Sequence, residues 1–366
     1  MFEGRASSAY KVVSSAAVNW NKQLTMCECF GAMNGLTEDA MYRESYDLFT
    51  KGVNLFVPHA VWLSAEKEKI IFQPELSYRD EYYGKIMPRY CDYCARVAQY
   101  LQEGKQVNSV AVLYPIESLQ YMYTMNWEGD KYHGGPTDEK NNYMRLGQYI
   151  SRELNQDFTF VHPEVLQGSA KIGAGTLSLA ETEHVQNYKV IVLPGMKAVS
   201  LKTLRVLKAF VDAGGILVAV SELPGRACER GGDADVAALC EELFGVRQIG
   251  AAKHRKAHKG GGVCYCLPYA QRGCLQEIFQ GAGLDTNVRT PVPGLQYIHK
   301  RAEKDVWYFA NLGEDLSAEA VLQGISRAEG LNPKTGERVA LQYQIAPGGA
   351  ALALSLRKGE SLLIFG

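Results

Sequence analysis

The sequence predicts an α/β chain that gives way to an all-β domain at its C-terminal end. Three observations carry this expectation. Apolar runs of strand length alternate with helical periodicities through about residue 290. Those runs are apolar at successive positions, as in strands buried on both faces. From about residue 291 the pattern changes to short strands separated by turns.

Residues 1–105 read as strand, helix, strand, helix. The strands cover residues 24–30 and 53–57, and Ala40, Tyr42, Tyr46 and Phe49 mark a helix that ends near Gly52. Ile86, Tyr90, Cys94, Val97 and Leu101 recur at helical spacing, between Pro88 near the start of that helix and Gly104 at its end. Residues 106–290 repeat the rhythm. A strand over 110–114 precedes a helix marked by Tyr143, Leu146, Tyr149, Ile150 and Leu154. A strand over 189–193 ends at Pro194-Gly195, and Ser200 caps a helix carrying Leu204, Leu207, Phe210 and Val211. Gly214 and Gly215 stop that helix before a strand over 216–220. The expected architecture is a doubly wound parallel sheet. Residues 291–366 carry strands over 305–311, 320–322, 339–343, 351–356 and 361–365, with a turn at Asn332-Pro333-Lys334-Thr335-Gly336. They predict an antiparallel β sandwich.

Composition bounds the function. The 366 residues are 46% hydrophobic and 22% charged, which is globular composition and excludes a disordered chain. Lys+Arg is 39 and Asp+Glu is 40, so neither nucleic acid nor an anionic membrane is expected as the main partner. No apolar run approaches the roughly 18 residues of a transmembrane helix. The first eleven residues lack the apolar stretch of a signal peptide, so a cytoplasmic location is the expectation if they are the natural start. Nine cysteines argue against a disulfide framework. Cys91-x-x-Cys94 invites a metal or redox reading, but its helical surroundings favour two ordinary helix positions, and no second pair has zinc-ribbon spacing. No metal site is expected.

Glu28 is the most informative residue. It lies in a strand otherwise made of Met26, Cys27, Cys29 and Phe30, where a carboxylate is costly unless paired or used. At the C-terminal end of a barrel strand it would be one of the two carboxylates of a glycoside hydrolase. Otherwise it is a structural Glu paired with an Arg or Lys. The next strand leads to His59 and Trp62, a hydrogen-bonding ring and an indole face that suit a sugar. The simpler alternative is a core His and a loop aromatic. The long loop over 125–138 holds Trp127, Asp130, Tyr132 and His133 and either leans over a sugar site or is solvated surface. The basic run 253–259, before Gly260-Gly261-Gly262, reads as a hairpin between strands rather than a polyanion site.

Lys11-Val12-Val13-Ser14-Ser15-Ala16-Ala17, Glu28-Cys29-Phe30-Gly31-Ala32 and Gly52-Val53-Asn54-Leu55-Phe56-Val57-Pro58-His59 resemble the last two strand–helix units of a glycosidase (β/α)8 barrel. The resemblance is to glycoside hydrolase family 106, the α-L-rhamnosidases, and related family 2-like enzymes. It continues through Tyr188-Lys189-Val190-Ile191-Val192-Leu193-Pro194-Gly195 and Phe210-Val211-Asp212-Ala213-Gly214-Gly215, similar to the Rossmann-like domain after the barrel. It ends in Tyr297-Ile298-His299-Lys300, Trp307-Tyr308-Phe309-Ala310-Asn311 and Asn332-Pro333-Lys334-Thr335-Gly336-Glu337, similar to the β domain beyond.

The resemblance implies that residues 1–105 are the C-terminal part of a (β/α)8 barrel, with Glu28 as general base or nucleophile and His59 as a substrate contact. It implies hydrolysis of a glycosidic bond, such as an α-L-rhamnoside in plant or bacterial polysaccharide, and carbohydrate as the partner. It leaves room for Ca2+, although no acidic cluster like an EF-hand loop is visible. Six barrel strands and the second catalytic carboxylate are missing from the chain as given. It is therefore expected to be inactive alone and to pack residues 1–105 on the second domain, self-associate or meet a missing N-terminal half. The rival is a non-catalytic carbohydrate-binding or assembly module. A glutamine amidotransferase-like activity of the second domain is disfavoured, because Ser221 in Ala219-Val220-Ser221-Glu222-Leu223 lacks the flanking glycines of a nucleophile elbow. Tyr114-Pro115-Ile116-Glu117 stands where a nucleotide-binding glycine loop would be.

Overall fold

Strand Asp305–Asn311 is apolar at five successive positions, from Val306 to Ala310, and both of its faces are buried. The computed structural model describes residues 9–64, 66, 69–125, 135–179, 186–284, 287–346 and 348–366. It shows what covers each face. The strand sits in an antiparallel sheet between Leu295–Arg301 and Ser361–Phe365. Glu329–Leu331 and Arg338–Val339 extend that sheet on one side, and Lys105–Gln106 on the other. Side chains alternate between the two faces of a strand. Val306, Tyr308 and Ala310 point to one core, with Ile298 and Leu363. Trp307 and Phe309 point to another, with Leu295, Tyr297, Leu362 and Ile364.

The first of these cores is completed from the N-terminal region. Helix Glu38–Thr50 begins at Thr37, whose hydroxyl accepts from the Ala40 amide (3.2 Å), and Glu38 and Asp39 in its first turn oppose the helix dipole. Helix Tyr83–Leu101 buries Tyr83, Ile86, Tyr90, Tyr93, Val97 and Leu101, a stripe at three- and four-residue spacing. Met41, Tyr46, Phe49, Tyr90 and Tyr93 of these helices lie against the sheet. The Tyr93 and Tyr308 hydroxyls are 2.6 Å apart, and the Phe49 and Tyr308 rings meet edge-on at 5.7 Å. The second core is closed by the three-stranded sheet of Leu316–Gln323, Gly349–Leu356 and Tyr343–Ala346, through Leu316, Ala320, Leu322, Leu352, Leu354 and Leu356. Three layers result: helices, a central sheet and a second sheet.

The chain accordingly divides into two compact units. One comprises Met1–Ala17, Lys22–Gln106 and Thr286–Gly366, the other Val18–Asn21 and Val107–Asp285. Within the first unit the helices of residues 1–105 pack on the C-terminal sheet, a contact the sequence did not lead us to expect.

In the second unit, Val263–Leu267, Ile216–Val220, Gln186–Leu193, Asn108–Leu113 and Thr159–Val161 run parallel in that spatial order. His254–Ala257 joins antiparallel at the Val263–Leu267 edge, so the basic run forms one arm of a hairpin. Helix Leu201–Asp212 starts as the sequence predicts, with the Ser200 hydroxyl accepting from the Thr203 amide (3.2 Å). It stops at Gly214, whose φ is +103°, and a Cβ on Gly215 would lie 2.3 Å from the Phe210 ring. The chain is thus mixed α/β with several sheets. Cys91 and Cys94 sit on the Tyr83–Leu101 helix, and burial pushes the Cys94 thiol up to about 12, away from thiolate chemistry.

The shared core of the first unit is testable. Phe49→Ala is expected to destabilise the protein by about 3–5 kcal/mol. Amide exchange should rise in both Glu38–Thr50 and Asp305–Asn311; a rise in the helix alone would show that the two do not share a core.

Candidate active site

Strands Met26–Cys29 and Leu55–Pro58 pair in parallel, from Met26↔Leu55 to Cys29↔Pro58. Their N-terminal ends are set by Asn54. Its Oδ1 accepts from the Thr25 amide (2.8 Å), and its Nδ2 donates to the carbonyls of Gln23 (2.9 Å) and Leu101 (3.2 Å). Beyond their C-terminal ends the His59 amide donates to the Cys29 carbonyl (2.8 Å), continuing the ladder by one step.

Cys27, Cys29 and Phe56 turn toward the helices. Burial, with the nearby Glu44 and Glu28 carboxylates, raises the Cys27 thiol to about 11. The alternate positions carry Met26, Glu28, Leu55 and Val57, which are all exposed. Glu28 faces Val57 in register, so by two-residue periodicity Glu28, Val57 and His59 share one face. Among the described residues the Glu28 carboxylate has no hydrogen-bond or ion-pair partner, unlike the paired structural Glu of the alternative reading.

The chain turns sharply just after Glu28. Phe30 (φ +73°) and Ala32 (φ +59°) occupy the left-handed region that disfavours side chains. The buried Phe30 ring, edge-on to Tyr90 at 6.0 Å, holds this turn. A Cβ on Gly31 would touch the His59 ring at 3.5 Å, so the turn lies directly against His59.

His59 and Trp62 meet edge-on, with ring centroids 6.0 Å apart. His59 Nδ1 and Trp62 Nε1 are both buried and have no hydrogen-bond partner. Such atoms are costly to leave unpaired. Here they are the polar tips of the two side chains singled out for sugar contact. Trp127 and His133, the other two expected contacts, lie outside the described residues. No three His, Cys, Asp or Glu side chains are grouped to hold a metal ion among the described residues. No helix among them is long and apolar enough to cross a membrane.

Sequence reasoning missed Glu75. This buried carboxylate accepts from the Trp62 amide at Oε2 (2.9 Å). Its Oε1 accepts from the Ser77 hydroxyl (2.5 Å) and from Arg79 Nη2 (2.7 Å). Arg79 in turn donates to the carbonyls of Trp62 and Leu63. The Leu76 amide, which donates to the Ala60 carbonyl (2.8 Å), completes the clamp. Burial would raise the Glu75 carboxyl, but the Ser77, Trp62 and Arg79 donors outweigh it and hold the group below its ordinary value. The only sequence signal was Glu75-x-Ser77-x-Arg79 in a stretch without periodicity.

With its folded pKa depressed, Glu75 stabilises the protein above its unfolded pKa of about 4.3, and that contribution is lost as pH falls through the folded value. Glu75→Gln is expected to cost about 1–3 kcal/mol at neutral pH. The loss should shrink on acidification in urea melts taken across pH; a pH-independent loss would exclude the charge as its cause.

Comparisons with known proteins bear on the family and the fold. The family model for alpha-L-rhamnosidase matches residues 3–345. A rhamnosidase from Novosphingobium sp. PP1Y superposes with a TM-score of 0.70 at 19% identity, covering 98% of this chain and 33% of that one. A β-galactosidase from Bacillus circulans sp. alkalophilus gives 0.66 at 11% identity, over 99% of this chain and 58% of that one. The cold-adapted β-galactosidase of Rahnella sp. R3 gives 0.63 at 13% identity, over 100% and 59%. None of the curated proteins matches the chain in sequence. At these identities the structural likeness is one of fold, and the chain spans a third of the rhamnosidase and less than two thirds of either galactosidase. The family match covers nearly the whole chain, and the chain belongs to glycoside hydrolase family 106, the α-L-rhamnosidases.

Proposed function

We propose that this chain is the C-terminal part of an α-L-rhamnoside-hydrolysing enzyme and carries one of its two catalytic carboxylates, Glu28. The observation that carries the reading is the shared face of Glu28 and His59 beside Trp62, with a carboxylate that has no partner among the described residues and two buried ring nitrogens that have none. In this reading Met26–Cys29 and Leu55–Pro58 are the last two strands of a (β/α)8 barrel. The parallel-sheet unit is a Rossmann-like domain related to glutamine amidotransferase folds, and the two C-terminal sheets form its β sandwich.

The barrel reading explains the exposed face. Inward-pointing residues of a barrel pack against those of the other strands. Here Met26 (53% exposed) and Val57 (46% exposed) face solvent, and neither outer edge of the two-stranded sheet is paired among the described residues. Exposed apolar faces and open edges of this kind call for a partner. Six further strands, supplied from outside this sequence, would cover them and bring the second carboxylate.

The chemistry follows from the pair. One carboxyl group protonates the leaving oxygen while Glu28 either activates a water or attacks the anomeric carbon itself. A single carboxylate cannot perform both tasks in one step. In this reading His59 Nδ1 and Trp62 Nε1 bond sugar hydroxyls once substrate opens the pocket around them, with the Glu75–Arg79 clamp fixing the loop that carries Trp62.

The test is hydrolysis of 4-nitrophenyl α-L-rhamnoside by the chain alone and by the chain co-produced with a segment that supplies the other six barrel strands. Turnover is expected only in the second case, and Glu28→Gln should lower it by about 10²–10⁴-fold. Turnover by the chain alone would overturn the need for a completing part, and an active Glu28→Gln enzyme would overturn the site. Sedimentation of the chain alone should show self-association that the completing segment abolishes; a monodisperse monomer would argue against an unfilled barrel face.

A further inference from the structure

The second unit holds a cavity of about 480 Å³ at the carboxyl ends of its parallel strands. Open α/β sheets bind ligands beyond the carboxyl ends of their strands. Strand Ile216–Val220 feeds directly into it through Ser221 and Glu222. Ser221 has φ +73°, a conformation that a residue with a side chain rarely adopts. Its hydroxyl donates to the Lys140 carbonyl. A Cβ on Gly195 would lie 2.4 Å from that same carbonyl and 2.8 Å from Ser221 Oγ. Three segments thus converge on one wall at a spacing only glycine permits.

The charges on the wall are unevenly satisfied. Lys197 Nζ donates to Glu222 Oε1 (2.7 Å), Arg226 to Asp233 (2.7 Å) and Arg247 to Glu241 (2.8 Å). Two groups are left over. Glu222 Oε2 is buried and has no hydrogen-bond partner. The Lys140 ammonium has no ion-pair partner among the described residues. A ligand satisfying both must donate a hydroxyl to the first and present an anion to the second. The volume suits a monosaccharide.

We propose that this cavity binds a small hydroxylated acid of sugar size, its carboxylate on Lys140 and one hydroxyl on Glu222 Oε2. The site belongs to the second unit and does not depend on the rhamnosidase reading of Glu28. Calorimetric titration of the full chain with D-glucuronate tests it, with glucose as the neutral analogue and inorganic phosphate as the anion without the ring. Saturable glucuronate binding is expected. Glucose and phosphate should each bind at least about tenfold more weakly, and added salt should weaken the glucuronate complex.

Lys140 is exposed, so Lys140→Ala should fold normally, and it should weaken glucuronate at least about tenfold. Glu222→Gln should weaken it while keeping the shape of the wall, and Glu28→Gln should leave it unchanged. Glucose binding equal to glucuronate, an unaffected Lys140→Ala variant or no saturable glucuronate binding would each overturn the proposal. A glucuronoside of an oligosaccharide binding as well as the free acid would support the site with a polysaccharide residue as its source. Binding confined to the free acid would support it with a free metabolite.

Discussion

The burial of one antiparallel sheet on both of its faces governs the first unit. Strands Leu295–Arg301, Asp305–Asn311 and Ser361–Phe365 carry large side chains on either side, and neither set can be left in water. The helices that satisfy one set also carry the two parallel strands bearing the candidate site, through Cys27, Cys29 and Phe56. The position of Glu28 is therefore fixed by residues more than 250 positions away in sequence, such as Tyr308 and Leu363. On the opposite face of the sheet, in the second core, Trp307 is held from two directions. His299 stacks on its indole ring at 4.1 Å while bonded to Asp305 (2.6 Å), and Asn287 accepts its N–H (2.8 Å).

Much of the local structure was legible because period and punctuation agreed. The strands over 305–311 and 361–365 appear with their expected bounds. The Ser200 cap and the paired glycines at 214–215 delimit their helix as anticipated. The expected strand over 339–343 is instead split into Arg338–Val339 and Tyr343–Ala346, which belong to different sheets. A short run gives a strand-like pattern but does not say where the chain crosses from one layer to the next. The association of residues 1–105 with the C-terminal sheet was not seen, yet its signal was present. An unbroken apolar run from Val306 to Ala310 has no solvent face, and a sandwich with one exposed side cannot accommodate it.

For the candidate site, the residue types were legible and their support was not. A lone Glu in an apolar strand, and a His and a Trp after the next strand, can be read from composition against context. The clamp around Glu75 arises from a loop without periodicity, where only tertiary contacts decide which carboxylate is buried. The same holds for the left-handed turns at Phe30 and Ser221, since neither residue announces a positive φ as glycine would.

The first unit is assembled from widely separated stretches of this sequence, with most of the second unit, Val107–Asp285, between them. This has a temporal consequence during synthesis. Helices Glu38–Thr50 and Tyr83–Leu101 emerge from the ribosome long before the sheet that buries them. At ordinary elongation rates of about 5–20 residues per second, they wait on the order of ten seconds or more. Throughout that interval Phe49 and Tyr93 lack the Tyr308 side that completes their core, while the intervening parallel sheet is free to fold on its own. The core of the first unit can therefore close only after the strands within residues 295–365 have been made.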